Sequence, residues 1–313
     1  MLKYVGKRLL ASLVTLFIIL TTVFILMRQM PIEGYFDNFD KVDQAVINAK
    51  LQQLGLRDPM HIQLKNFYVN LLKGDLGISN RYRTGAPIVD IIAAKAPISI
   101  QMGLMSMALS LLLGIPLGAK MARSKSRFWD KLGTGFIVFI NAVPAAVYYI
   151  YLQSYGSSLL NISMLFDPKV VLSWVLPVFS MSLGSIAYYA MWLRRYMVDE
   201  MNKDYVKLAR AKGVTSRNIT MGHVFRNAFV PMIQYIPSSL LFTISGSIYV
   251  ESLYSIPGMG GLLVDVITRQ DNTMVQALVM MYASIGIIGM LLGDLLMVVI
   301  DPRISFAKKE GVR

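Results

Sequence analysis

The chain has 313 residues, 55% of them apolar, and carries 31 Lys and Arg against 18 Asp and Glu for a net charge of +13. Its mean hydropathy of +0.53 points to the bilayer rather than water as its solvent. The lack of cysteine excludes disulfides, thiolate metal sites and a cysteine nucleophile, and basic residues scattered between apolar runs exclude a nucleic-acid-binding face.

A helix crossing about 30 Å of hydrocarbon at about 1.5 Å per residue needs about 20 mostly apolar residues. Six stretches meet this: Leu9–Met27, Ile98–Ala119, Leu132–Tyr155, Val170–Leu193, Ala228–Val250 and Asn272–Ile300. They predict an all-α integral membrane protein with six transmembrane helices. Lys3, Lys7 and Arg8 precede the first stretch, as in a signal peptide, but its 19 uncharged residues exceed the usual apolar region. Arg28-Gln29-Met30-Pro31 also offers no small-x-small cleavage site, so residues 1–27 read as a cytoplasmic start and a retained span.

Residues 28–97 are too long for a simple connector. Val42, Ala45, Val46, Ala49, Leu51 and Leu54 follow a helical pattern that Gly55 stops, and Gly74-Asp75-Leu76-Gly77 supplies turn residues. The segment reads as a small folded cap between the first two helices. The core is expected over 98–300, with a tail at 301–313.

Residues 194–227 carry eight basic and three acidic residues. Two short helices separated at Gly213 are expected there, with Lys203, Lys207 and Arg210 on one face and Ser216 capping the second helix. Ala209, Ala211 and Gly213 would permit close backbone approach. Charge alone leaves open a simple anchor to anionic lipid. Glu251–Gly261 is expected to form an irregular hairpin at the outer mouth, since Pro257 lacks an amide hydrogen and Gly258, Gly260 and Gly261 favour tight turns. An ordinary surface loop is the alternative. Asp294 is the one charge within a span; it is either an ion relay or a carboxylate near the inner end, bonded across helices or to interfacial cations.

Orientation follows from the basic residues. With the amino terminus inside, inner segments hold three in residues 1–8, five in 120–131, eight in 194–227 and four in 301–313. Outer segments hold nine in the long stretch 28–97 and one each in 156–169 and 251–271. Both termini are therefore expected in the cytoplasm.

Catalytic chemistry is thin. His61 and His223 fall on opposite sides of the bilayer and cannot share a metal, and no Ser/His/Asp order or paired intramembrane carboxylates suggest hydrolysis. The chain contains no G-x-x-x-x-G-K-[ST] phosphate loop, so ATP would have to be bound by a separate chain. No catalytic residue, metal or cofactor is expected here.

Residues Ala209-Arg-Ala-Lys-Gly213, then His223, Arg226-Asn227 and Pro231, resemble the coupling loop of ATP-binding-cassette importer permeases in its peptide-permease form. Lys207 and Leu208 stand where the general motif has Glu-Ala. Leu54-Gly55-Leu56, Gly74 to Ser79, Glu251 to Gly260 and Asp301-Pro302-Arg303 extend the resemblance over nearly the whole chain to one membrane subunit of oligopeptide, dipeptide and nickel importers. The short start before the first span is similar to that subunit rather than its partner.

The resemblance implies the six-helix fold of type I importer permeases in a bacterial cytoplasmic membrane. It implies a second, homologous permease subunit, two ATPase subunits holding ATP and Mg, and an extracytoplasmic binding protein delivering a peptide or small chelate. Coupling to the ATPase falls on Ala209, Gly213, Val214, Thr215, Ser216, Arg217, Asn218, Ile219 and His223, with Val214–Gly222 as the docking lever. The outer gate falls on Glu251, Tyr254, Pro257, Gly258, Gly260 and Gly261. Irregular backbone at membrane depth is tolerated only against protein or water, so Asn141, Pro144, Gln234 and Pro237, with Pro116, Pro177 and Gly184, are candidates to line the pore. A nickel or metallophore permease is the nearest alternative, and a secondary transporter a more distant one.

Overall fold

The computed structural model describes residues 2–36, 39 and 43–300. The motif Asp301-Pro302-Arg303, the tail 301–313 and Val42 lie outside the described residues. In chain order the elements are α1 (Leu2–Met27), a 3-10 turn (Ile32–Tyr35), α2 (Gln44–Gln53), α3 (Met60–Leu72), α4 (Ile88–Arg123), α5 (Phe128–Ala142) and α6 (Ala145–Leu160). A second 3-10 turn (Val171–Trp174) then leads into α7 (Val175–Met201), followed by α8 (Asp204–Ala211), α9 (Ser216–Asn218), a π-helical turn (Ile219–Val224) and α10 (Phe225–Ile233). The chain continues through α11 (Tyr235–Ile244), α12 (Ile248–Leu253), α13 (Met259–Thr268) and α14 (Asn272–Ile300). Among the described residues the β-type pairing is one isolated antiparallel bridge, Ile78 to Pro87.

Four helices are long and apolar enough to cross a membrane alone: Val5–Met27, Ile88–Arg123, Val171–Met201 and Asn272–Met297. Two bent pairs, Phe128–Ala142 with Ala145–Leu160 and Ser216–Ile233 with Tyr235–Leu253, complete the six expected crossings when each pair counts as one.

The bends fall at points the sequence marked as irregular, Asn141–Pro144 and Gln234–Pro237. α5 and α6 meet at 108°, because the ring of Pro144 drives Val143 out of the helical region, to ψ 130°. The fifth crossing bends by 52° at Gln234, where Pro237 has no amide hydrogen to offer the Ile233 carbonyl. It breaks again at Gly246, whose φ is +94°. The second span is longer than hydropathy indicated: α4 starts at Ile88 rather than Ile98, because Asp90 and Lys95 hid two amphipathic turns.

Two seams of small residues hold the spans together. On α4, a Cβ at Gly118 would lie 2.7 Å from the Ala190 carbonyl oxygen, and one at Gly114 3.0 Å from that of Ile186. α4 and α7 thus pack backbone to backbone, the close approach that small-xxx-small spacing allows between membrane helices. Ser110 adds a hydrogen bond across the seam to the Ser182 carbonyl at 3.3 Å. On α14, a Cβ at Gly289 would meet Ser238 Cα at 2.9 Å, and one at Gly293 would overlap the Gln234 carbonyl.

The cap exists and has more structure than expected. Tyr35, Phe36, Ile47 and Leu51 bury its small core. α3, which hydropathy did not single out, runs beside α1: Thr21 Oγ1 and Tyr68 Oη are 2.7 Å apart, and the Phe17 and Tyr68 rings stack at 5.2 Å. Phe17 lies ten residues before the end of α1, about 15 Å along its axis, so α3 runs beside the carboxy-terminal half of that span.

Candidate functional site

The expected coupling segment is anchored on one side and open on the other. α8 ends in a Schellman motif: Gly213 N–H donates to Arg210 O at 2.9 Å and Val214 N–H to Ala209 O at 3.1 Å. Gly213 takes the left-handed φ of +75° this motif requires, and a Cβ there would meet nothing within 4 Å. Its role is conformational, which corrects the expectation of close packing. Thr215, not Ser216, caps the next helix; its side chain accepts from the Asn218 amide. That helix is not an isolated lever over Val214–Gly222: it starts at Ser216 and passes through the π turn directly into α10. Single π turns are frequent at functional sites.

Val206, Ile219, Val224, Ala228 and Met232 are buried against Tyr189, Leu193 and Met197 of α7. Ile219 therefore serves the chain's own core rather than an outside contact. Lys207, Leu208, Arg210, Lys212, Gly213, Thr215, Ser216, Arg217, Asn218, Met221 and His223 are exposed, giving a basic surface with two apolar side chains, Leu208 and Met221. Ala209 and Val214 are half-buried at its edge. Tyr205 braces the segment by donating to Glu200 at 2.8 Å. Burial raises the Tyr205 hydroxyl above its ordinary phenol range and the bond to Glu200 adds to this, while Asn227 acts in the opposite direction.

Hydropathy gave no sign of an ion pair between α5 and α7. Arg194 of α7 grips Asp130 of α5 with two hydrogen bonds, Nη2 to Oδ2 being 2.8 Å, and the Ser126 amide donates to the same carboxylate at 2.8 Å. The signal available was an Asp in the first turn of one helix and an Arg just past the end of another span. Asp294 pairs with Arg8 at 3.2 Å and accepts from Gln234 Nε2 at 2.9 Å. This is the cross-helix arrangement, and it places Gln234 in a structural bond.

The segment Glu251–Gly261 is not the irregular hairpin expected. α12 and α13 form a helix-turn-helix closed around Glu251, which is buried. Ser99 Oγ donates to Glu251 Oε1 at 2.8 Å, and the Gly260 and Gly261 amides donate to Oε2 at 2.7 and 3.1 Å. A buried carboxylate is costly unless donors surround it, and here backbone and Ser99 supply them. A Cβ at Gly258 would overlap both Ser99 Oγ and the Glu251 carboxylate, so glycine there lets the turn close. Tyr254 is also buried, its hydroxyl 3.1 Å from Ser180 Oγ. Pro257 is exposed.

Asp271 plays a comparable part nearby and was not anticipated. Its Oδ2 accepts from Ser79 Oγ at 2.7 Å and from the backbone amides of Asn80, Arg81 and Tyr82 at 3.0, 2.9 and 3.0 Å. Its Oδ1 accepts from the Met274 amide and so caps α14. Of the other pore candidates, Asn141, Pro144, Pro116 and Gly184 are exposed, whereas Pro177 and Pro237 are buried within the chain. Asn141 Nδ2 donates to the Ile137 carbonyl at 2.9 Å.

Helices and bent pairs apolar enough for six crossings, with a basic surface bearing Leu208 and Met221 between the fourth and fifth, make up a helical integral membrane protein. Residues 114–306 match the family described as binding-protein-dependent transport system inner membrane component, and the chain belongs to that family. It is 30% identical over 305 residues to the dipeptide transport system permease protein DppB of Lactococcus lactis, covering 97% of this chain and 99% of that one. It is 31% identical over 316 residues to the glutathione transport system permease protein GsiC of Salmonella typhimurium, covering 98% and 100%. A 37% identical match of 215 residues to the oligopeptide transport system permease protein AmiC of Streptococcus pneumoniae covers 67% of this chain but 42% of that longer protein. The fold is shared with the MetNI methionine ABC transporter in an inward-facing conformation (TM-score 0.54, 12% identity, 68% of this chain and 97% of that one). An amino acid ABC transporter is similar in the same way (TM-score 0.52, 15% identity, 69% and 95%).

Proposed function

We propose that the chain forms half of the membrane pore of an ATP-driven importer of short peptides. The other half would be a second, homologous permease subunit, and ATP and Mg would be held by two separate ATPase chains. In this reading the α8–α9 surface docks on an ATPase, both termini face the cytoplasm, and an extracytoplasmic binding protein delivers peptide to the face bearing the cap and the α12–α13 turn.

One observation carries the reading: a segment fixed to the core by Val206, Ile219 and Val224 presents an exposed surface beside a helix continuous with a bent span. Movement imposed on that surface passes into α10 without a flexible joint, the physical requirement for coupling two sites through a two-state element. Names of the whole-length relatives support peptide as the substrate. The test is to purify the tagged chain from its membrane and reconstitute what accompanies it. A second membrane chain, P-loop ATPases and ATP-dependent uptake of a labelled dipeptide are expected; a chain that purifies alone and moves solute down an ion gradient would overturn the proposal.

A further inference from the structure

One face of α3 is open, and the transport reading does not use it. Leu64, Phe67 and Leu71 pack the helix against Leu16 and Phe24 of α1 and Met280 of α14. Gln63, Asn66 and Asn70 line the crevice that the cap shares with Gln276. On the remaining side Ile62, Lys65, Val69 and Leu72 recur at i, i+3, i+7 and i+10, so they share a face, and all four are exposed. Leu72 is 87% exposed.

The two spans that α3 touches act as rulers of depth. The apolar span of α1 ends at Met27. Phe24 and Leu16 precede that end by three and eleven residues, about 5 and 16 Å along the axis. Met280 lies eight residues beyond the start of α14 at Asn272, about 12 Å inside. Both rulers place the contact zone of α3 within one leaflet of a hydrocarbon core about 30 Å thick. The polar contacts suit that depth. The Tyr68 hydroxyl donates to the Phe17 carbonyl at 3.1 Å and lies 2.7 Å from Thr21 Oγ1, so both hydroxyls are paired without water, as hydrocarbon demands.

We infer that the face formed by Ile62, Val69 and Leu72 lies against lipid acyl chains, which makes α3 the part of the cap that is embedded in the bilayer. The face is continuous with the exposed side of α1, where Leu10, Leu13, Val14, Phe17 and Ile18 are open and the Phe17 ring stacks on Tyr68 at 5.2 Å. A membrane span presents such a side to lipid, and α3 extends it by three aliphatic side chains. A helix apolar on its open side as well as its packed side is built for hydrocarbon rather than water. Gln63, Asn66 and Asn70 gather along the edge toward the cap, the division expected of a helix lying in the membrane interface. The polar residues on the open side are His61, in the first turn, and Lys65, whose four-carbon stem carries its ammonium toward headgroup phosphates.

The test uses the full cysteine-free chain in phosphatidylcholine nanodiscs, with a nitroxide spin label on Val69→Cys or Leu72→Cys. Each label's relaxation is measured with oxygen, which concentrates in lipid, and with a nickel chelate, which stays in water. Leu13→Cys on the open side of α1 sets the lipid standard, and Ser216→Cys on the exposed α9 sets the aqueous one. An oxygen-to-nickel ratio about threefold or more above that at Ser216, and close to that at Leu13, is expected at both positions. A ratio matching Ser216 would place the face in water and overturn the inference. Low collision with both reagents would mean that a second copy of the chain covers the face, and would overturn it equally. The measurement needs neither ATPase nor binding protein, so its failure would leave the importer proposal standing.

Discussion

Glu251 and Asp271 show how this chain uses carboxylates: each is buried, and each gathers donors from segments far apart in sequence. Removing the acceptor strands those donors, at about 1–3 kcal/mol each. Glu251→Ala should therefore lower the unfolding temperature of the purified protein by several degrees, and Ser99→Ala by less, since Ser99 is one donor of three to that carboxylate. Scanning calorimetry in detergent checks the order, and equal effects would remove Glu251 from its central place in the turn. At the α4–α7 seam the limit is steric. Gly118→Ala puts a methyl 2.7 Å from the Ala190 carbonyl oxygen, and overpacking of this kind costs about 1–3 kcal/mol. Gly184→Ala meets nothing within 4 Å and should leave stability unchanged within error by the same measurement.

At the scale of elements, Gly213 is the position where sequence and structure agree on the break and differ on its cause. The expected close approach is absent; the left-handed φ of a Schellman motif is what glycine supplies. A non-glycine residue there costs about 1–2 kcal/mol, and asparagine less than most. Peptide-stimulated ATP hydrolysis in the reconstituted complex should accordingly fall in the order Gly, Asn, Ala, Val at position 213, with assembly retained. Indifference to the series would remove α8–α9 from the coupling path.

Hydropathy located the spans because lipid exposure imposes one simple rule on composition. It missed the first turns of α4 and the extension of α7 past Leu193, since those ends carry charge, and it missed α3, where Gln63, Lys65 and Asn66 interrupt the apolar run. Pro144 and Gln234 were legible as irregular points, because proline's missing amide acts locally. The bonds among Asp130, Arg194, Asp271 and residues 79–82 were not, because they join residues that only the folded helices bring together.

For the whole molecule, the division of basic residues predicts the side on which each segment lies. The chain has no cysteine, so single cysteines report cleanly. A cysteine at Asn48 in the cap should react with an impermeant reagent in intact cells, and one at Ser216 should react only after the membrane is opened. The reverse pattern would invert the topology, and with it the placing of cap and coupling surface.

The bond between Asp271 and Asn80 spans 191 residues, and that distance is also a delay. At about 5–20 residues per second of synthesis, the loop 79–82 leaves the ribosome about 10–40 s before the carboxylate that fixes it exists. Throughout that interval the loop holds its local bonds, such as Ser79 N–H to Ala86 O and Ile88 N–H to Gly77 O, but lacks the long-range acceptor that completes it. A ribosome stalled before Asp271 would thus leave Ser79 and the amides of Asn80, Arg81 and Tyr82 without the one carboxylate oxygen that all four share in the finished subunit.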